Sequence, residues 1–299
     1  MPERIKLTFL GTGGSIPTIG RGLPAMSLEY NGAVYLFDCG EGTQMQMLKY
    51  GVNAHRIKAI FITHMHGDHV IGIAGLVRSM ALYGRTDPLE IFVPEGEEGK
   101  LEPLLTFDKV KIGYPILVRK TKSGAVYKGK DFTVSAFALK HTIKTFGYRF
   151  KEDDRLHFDK QKCAKLGIRK EMFTEIQKKG KIKVGKKLIL LSGVTTKEKG
   201  RSIVYATDSR PTASTINASR GADVLAHEAT YSKELAKLAK ERAHSTSEEA
   251  AKVAKSAGVS LLVIFHVSAR YSKSNPLEQE AKKVFKNTML AYDGMELLL

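Results

Sequence analysis

Thr63-His64-Met65-His66-Gly67-Asp68-His69 follows the apolar run Ala59-Ile60-Phe61-Ile62 and sets three imidazoles and a carboxylate within six positions. Zinc and similar ions accept histidine nitrogen and carboxylate oxygen, and a catalytic site leaves positions open for water or substrate. In this His-x-His-x-Asp-His spacing a turn can aim His64 and His66 at one ion while Asp68 and His69 reach a second. A histidine-rich surface loop is the alternative. It does not account for so many ligand-type side chains at the end of one strand.

The same arrangement recurs along the chain. Phe132-Thr133-Val134-Ser135-Ala136-Phe137 alternates like a half-buried strand and leads to His141, and Ser202-Ile203-Val204-Tyr205-Ala206 reads as a buried strand leading to Asp208. Val224-Leu225-Ala226 leads to His227-Glu228, and Leu261-Leu262-Val263-Ile264-Phe265 ends at His266. One such residue alone is a solvated loop side chain. Recurrence at successive strand ends points to a shared cleft at one sheet edge.

Taken together these residues resemble the metallo-β-lactamase superfamily and, within it, ribonuclease Z, the endonuclease that matures tRNA 3′ ends. The superfamily pattern lies in His64, His66, Asp68 and His69, completed by His141, Asp208 and His266. The narrower match rests on His227-Glu228-Ala229-Thr230, His244-Ser245-Thr246, Phe37-Asp38-Cys39-Gly40-Glu41-Gly42-Thr43-Gln44, and Ser268-Ala269-Arg270-Tyr271. It runs from Phe9-Leu10-Gly11-Thr12-Gly13 to Ala291-Tyr292-Asp293. The resemblance implies an α/β fold, a metallo-β-lactamase αββα sandwich with an inserted flexible arm.

Composition suits a cytoplasmic enzyme that meets a polyanion. The formal net charge is +17 over 299 residues, which attracts nucleic acid or another acidic partner, although basic surfaces also serve solubility. Met1-Pro2-Glu3-Arg4 lacks a signal-type apolar region, and the apolar run near Phe265 is too short to span a bilayer. Cys39 and Cys163 have no ligand spacing and cannot form a secreted-type disulfide framework, so a reducing compartment and no membrane are expected.

One metallo-β-lactamase-type domain over 1–299 is expected, with a first lobe to about residue 150, an arm over about 151–196 and a second lobe over about 197–299. Strand Ile5–Leu10 runs into the turn Gly11-Thr12-Gly13-Gly14. Helices are expected at about Lys233–Arg242, Ser247–Ser256 and Leu277–Lys286. Ser245-x-x-Glu248 and Thr246-x-x-Glu249 are overlapping capping-box candidates, Gly258 suits a C-terminal stop, and Asn275-Pro276 supplies a cap and an N1 proline. Lys178, Lys179, Lys181, Lys183, Lys186 and Lys187 crowd the insertion. On charge alone such a run is a solvated surface; the resemblance instead implies an arm that grips the tRNA elbow. Family arms often carry a Gly-Pro segment near the tip, where Gly167–Phe173 here has no proline. The family's Pro-x-Lys-x-Arg-Asn loop reads Pro17-Thr18-Ile19-Gly20-Arg21-Gly22, so Arg21 is the retained RNA contact.

By resemblance, His64, His66 and His141 hold one divalent ion, Asp68, His69 and His266 hold another, and Asp208 bridges them, zinc being the expected metal. Such a pair activates a hydroxide and clamps phosphoryl oxygens. Asp68 is either a ligand alone or also the group that accepts the water's proton. Asp38 is expected to fix a ligand histidine from behind. His244, paired with Glu228, suits protonation of the departing ribose oxygen, and His227 is structural.

The expected function is an endoribonuclease that cleaves precursor tRNA on its 3′ side, leaving a 3′-hydroxyl on the tRNA and a 5′-phosphate on the trailer. The resemblance implies a homodimer in which one subunit's arm serves the other's site. Two rivals are a hydrolase of a small phosphodiester or thioester on the same metal centre, and a non-catalytic RNA-binding protein with a structural metal. The second rival is disfavoured because structural zinc closes its coordination with four protein ligands.

Overall fold

The computed structural model describes residues 4–106, 111–271 and 276–299. Two seven-stranded sheets carry the chain. The first is ordered Met295–Leu298, Lys6–Gly11, Ala25–Tyr30, Ala33–Phe37, Ile57–Phe61, Leu89–Pro94, Ile116–Thr121. The second is ordered Thr288–Leu290, Leu261–Phe265, Val224–Glu228, Ser202–Ala206, Thr145–Glu152, Phe132–Leu139, Gly124–Lys128. Alternation along each strand sends one set of side chains inward between the sheets, where Phe9, Phe37, Phe61, Phe132, Tyr148, Tyr205 and Phe265 share one aromatic-rich core.

Each sheet's other face is covered by helices. Ile60, Ile62, Ile91 and Val93 meet helix Gly72–Leu82 through Ile73, Leu76, Val77 and Met80. Val204, Leu225, Leu262 and Ile264 meet helices Ser247–Ala257 and Leu277–Val284. The layers therefore read helix, sheet, sheet, helix, the αββα sandwich that the resemblance implies.

The sheets do not divide at the insertion. Three strands that precede it, Gly124–Lys128, Phe132–Leu139 and Thr145–Glu152, join the second sheet, and the last strand, Met295–Leu298, returns to the first beside Lys6–Gly11. Ser202–Ala206, Val224–Glu228 and Leu261–Phe265 are mutually parallel, so their C-terminal ends emerge along one edge.

Helix ends depart from expectation in detail. Of the two capping boxes only Thr246 with Glu249 forms; Ser245 donates instead to the Ser209 carbonyl, and Glu248 pairs with Lys252 and Lys233. Gly258 closes that helix in the left-handed region at φ 62°. The segment after Ser232 is a 3₁₀ turn, Lys233–Leu235, followed by helix Ala236–Glu241. Pro276 is the N-cap of Leu277–Val284 rather than N1, and Asn275 lies outside the described residues.

The insertion builds a cluster of its own. Arg155–Phe158 pairs with Thr195–Glu198, and Lys181–Val184 pairs with Lys187–Leu190 across the two-residue turn Gly185-Lys186, Gly185 taking φ 60° as such turns require. Cys163, Ile168, Ile176, Ile182, Ile189 and Val194 form a small core. The six arm lysines are all exposed.

At the arm's base Glu152 accepts from Arg201 N–H at 2.9 Å, Nε at 2.6 Å and Nη2 at 2.6 Å, holding the two ends of the insertion together. Burial works against the charge, but the Arg201 bonds prevail and hold the Glu152 carboxyl at about 2, below its ordinary 4.5. A depressed carboxyl contributes stability above its ordinary value and loses it as pH falls toward 2. Glu152→Ala is therefore expected to cost about 2–3 kcal/mol at pH 7. Denaturant melts of the two proteins should converge as the pH approaches 2; a constant difference across that range would show the loss to be packing alone.

Candidate metal centre

The residues named from the sequence meet at the strand ends. His64 follows strand Ile57–Phe61, His69 sits in the turn of helix Gly67–Val70, and His141, Asp208 and His266 each follow a strand of the second sheet. Three groups of potential ligands result: His64, His66, His141 and Asp208; Asp68, His69 and His266; and Asp208, His244 and His266.

Asp208 lies between the first two groups, and its oxygens divide between them. Oδ2 faces His64 Nε2 at 3.7 Å and His141 Nε2 at 3.8 Å. Oδ1 faces His69 Nε2 at 3.4 Å and His266 Nε2 at 2.9 Å. Asp68 Oδ2 stands 3.5 Å from His69 Nε2 and 3.7 Å from His266 Nε2. One carboxylate thus presents an oxygen to each side of the cluster.

The opposite ring nitrogens are occupied. His69 Nδ1 donates to Asp38 Oδ2 at 2.8 Å, His141 Nδ1 donates to the Ala243 carbonyl at 3.0 Å, and His266 Nδ1 meets Thr230 Oγ1 at 2.9 Å. His64 Nδ1 meets Thr63 Oγ1 at 3.0 Å. Ring Nε2 atoms are thereby turned inward as lone-pair donors, the usual state of a metal-ligating imidazole. His66 differs, bringing Nδ1 to 3.0 Å from His64 Nε2. The Nε2 atoms of His69 and His141 are buried without a hydrogen-bond partner, and that of His266 has only the Asp208 carboxylate at 2.9 Å. Buried nitrogens left unpaired beside carboxylates are costly in a protein interior, and a cation satisfies both. The donor set fits divalent metal.

The carboxylates also favour a cation at this place. Burial opposes charge on His266, yet Asp208 and Asp68 raise its pKa to about 10, so a proton on its Nε2 competes with a metal ion for the same carboxylates. Burial alone would raise Asp68, but His266 and His69 hold it below the ordinary range. Burial and the neighbouring His69 push His64 well below its usual value, so it is a neutral nitrogen donor.

Supporting groups are equally specific. Asp38, fully buried at φ 56°, also accepts from Thr63 N at 2.8 Å, Thr63 Oγ1 and Tyr205 Oη. Gly14 must be glycine, because a Cβ there would stand 2.4 Å from His266 Cε1. Sequence reasoning missed Thr230, whose hydroxyl reaches Glu228, His266 and His244, and Ser15, whose N–H donates to Asp68 Oδ2 at 2.9 Å. Thr230 lies inside the quoted His227–Thr230 motif, which was the available signal. His227 is buried, with Nδ1 on the Glu228 carbonyl oxygen.

His244 and Glu228 form a pair beside the cluster. His244 Nδ1 lies 3.0 Å from Glu228 Oε1, and its Nε2 lies 3.9 Å from Asp208 Oδ2. Glu228 is buried and accepts further from Ser209 N, Ser245 N and Thr230. Burial opposes protonation of His244, but the Glu228 carboxylate outweighs it and raises the pKa. The cleft above, about 690 Å³, is lined by Ser15, His66, Asp68, His141, Asp208, Tyr231, Arg242, His244 and Arg270 among others.

Comparison with known proteins decides the family. Ribonuclease Z of Archaeoglobus fulgidus is 42% identical over 298 residues, covering 98% of this chain and 97% of that one. Ribonuclease Z of Methanosarcina acetivorans is 38% identical over 297 residues, with 98% and 97% covered. The chain belongs to the ribonuclease Z family. It also matches, over residues 5–286, the family model described as Anti-Pycsar protein Apyc1, and so belongs to that family too. Among solved structures, human tRNase Z, short form, superposes with a TM-score of 0.73 at 28% identity, covering 98% of each chain. The metallo-β-lactamase fold protein YhfI from Bacillus subtilis, at 19% identity and TM-score 0.73 over 99% and 100%, shares the fold. The strand-end histidines and aspartates of this ribonuclease Z family member thus stand on the metallo-β-lactamase sandwich.

Proposed function

We propose that the protein is a metal-dependent endoribonuclease that removes the 3′ trailer of precursor tRNA. The observation that carries this is the division of the Asp208 carboxylate between two sets of imidazoles, in a chain whose relatives are ribonucleases Z. His64, His66 and His141 would hold one divalent ion and Asp68, His69 and His266 a second, with Asp208 shared; zinc suits the donors. When bound, the ions activate water and neutralise phosphoryl oxygens.

The chain's own residues do the rest. Asp38, Thr230 and the Ala243 carbonyl hold the ligand imidazoles by their outer nitrogens. Asp68 orients the attacking water and accepts its proton. His244, charged by its bond with Glu228, donates a proton to the ribose oxygen as it leaves. Arg21 is drawn inward, donating to Thr12 Oγ1 and the Ala291 carbonyl. Its side chain is thus engaged within the protein, and the RNA contact expected of it would act through the turn that its backbone closes with Thr18.

A reducing, cytoplasmic setting is the expected one, which the two buried free cysteines support. Among the described residues no helix is long and apolar enough to cross a membrane. A homodimer is the expected assembly, which sedimentation equilibrium would check.

The exposed lysines Lys178, Lys179, Lys181, Lys183, Lys186 and Lys187 are assigned to tRNA phosphates. Replacing residues 154–183 with a short flexible linker removes the first four of these. The deleted protein should lose affinity for precursor tRNA and show a shallower salt dependence, because fewer counterions are released on binding. It should still hydrolyse a small chromogenic phosphodiester, since no residue of the cluster lies in the segment. Unchanged processing of precursor tRNA would reject the arm as an RNA site. Intact protein that cleaves only the small ester would reject the ribonuclease reading in favour of the small-phosphodiester rival.

A further inference from the structure

Arg210 ties together three parts of the site without lining its cleft. Its N–H donates to the Lys140 carbonyl at 2.8 Å, next to His141. Its guanidinium donates to the His244 carbonyl at 2.6 Å and, through both terminal nitrogens, to the Glu249 carboxylate. Glu249 is also the capping-box residue, accepting from Thr246 N at 2.9 Å. The side chains of Arg210 and Glu249 are only 19% and 24% exposed.

What this fork grips is a loop in an unfavourable conformation. Ala243 takes φ 56°, a region that costs a residue with a Cβ about 1–3 kcal/mol unless its surroundings impose it. Besides its own backbone bonds and the Ser245 hydroxyl on the Ser209 carbonyl, the loop is held by His141 Nδ1 on the Ala243 carbonyl, Glu228 on Ser245 N and the His244 ring, and Arg210 on the His244 carbonyl. The His141 and Glu228 anchors belong to the cluster. Arg210 is the one whose side chain touches only the backbone of His244 and the helix behind it.

We propose that Arg210, braced by Glu249, is a positioning residue that sets where the His244 ring stands relative to Asp208 and the departing oxygen. The inference rests on reading His244 as the proton donor. A guanidinium suits the task because its planar fork satisfies a carboxylate and a carbonyl at once, which an ammonium cannot reproduce.

The test measures kcat and KM for Arg210→Met, Arg210→Lys and Glu249→Gln on precursor tRNA and on a nitrophenyl phosphodiester, with bound metal determined for each. Arg210→Met should lower kcat on precursor tRNA by about 10–100-fold, the scale for losing an orienting partner. KM, metal content and turnover of the nitrophenyl ester, whose leaving group needs no proton, should change little. The double variant should be no worse than the worse single one, because the two residues act as a unit. Arg210→Lys keeps the charge toward Glu249 and carries the test if the methionine variant does not fold. Equal losses on both substrates, or loss of metal, would overturn the proposal and make Arg210 a scaffold of the cluster; unaffected kcat would overturn it outright. His244→Ala run alongside separates the two readings. If His244→Ala ignores the leaving group, the proton-donor reading itself fails. If it discriminates and Arg210→Met does not, only the positioning inference fails.

Discussion

Asp208→Ala is expected to abolish cleavage of precursor tRNA while leaving RNA binding largely intact. Among the described residues Asp208 is the only carboxylate in the cleft with an oxygen toward His64 and His141 and another toward His69 and His266, so its loss removes the negative charge that holds both sides together. Asp38→Asn is the calibrating variant. It weakens the grip on His69 Nδ1 from behind and should cost about 10–100-fold in activity or metal affinity, the usual effect of removing an outer hydrogen-bond partner. Asp208→Ala should cost far more. Binding should survive because the lysines of the arm lie outside the cluster. Single-turnover cleavage, filter binding of labelled precursor tRNA and metal analysis together check this. Near-normal cleavage by metal-depleted Asp208→Ala protein would reject metal catalysis at this site.

The parts of the centre that the sequence reveals are those in which a strand and its ligand adjoin. Ala59–Ile62 before His64, Ser202–Ala206 before Asp208 and Leu261–Phe265 before His266 each announce a buried strand and then break its apolar pattern with a metal-type side chain. Local periodicity says where such strands end, and the end is where the chemistry sits. It carries no information about bonds between distant segments. The Ala243 carbonyl that receives His141 lies 102 residues away, the Glu152 and Arg201 pair spans 49, and Asp38 reaches His69 across 31. The exchange of strands between the two halves of the chain was hidden for the same reason, since antiparallel pairing of Thr145–Glu152 with Ser202–Ala206 across the arm leaves no local mark. Of the overlapping capping boxes, sequence could not choose, because Ser245 is claimed by the Ser209 carbonyl, a tertiary contact. Positive φ at Asp38, Ala243 and His266, none of them glycine, shows backbone forced by the site rather than by local preference.

His244→Ala is expected to slow cleavage of precursor tRNA by roughly 10²–10⁴-fold, the range for loss of a general acid. The departing ribose oxygen leaves poorly as an alkoxide, whereas a nitrophenolate needs no proton, so the same variant should lose much less on a nitrophenyl phosphodiester. The sign of the pH dependence follows from the Glu228 contact. Burial disfavours the imidazolium, but Glu228 at 3.0 Å outweighs it and raises the pKa of His244 above its ordinary value. In the proposed step the reactive form is the protonated one, so kcat should hold across neutral pH and fall as pH rises through that raised value. Glu228→Gln removes the carboxylate and keeps an acceptor, and it should move the alkaline limb to lower pH before it lowers the plateau. The nitrophenyl ester should lack that limb. A limb that stays in place in Glu228→Gln, or that appears equally with both substrates, would assign the titration to another group and leave His244 as a binding residue.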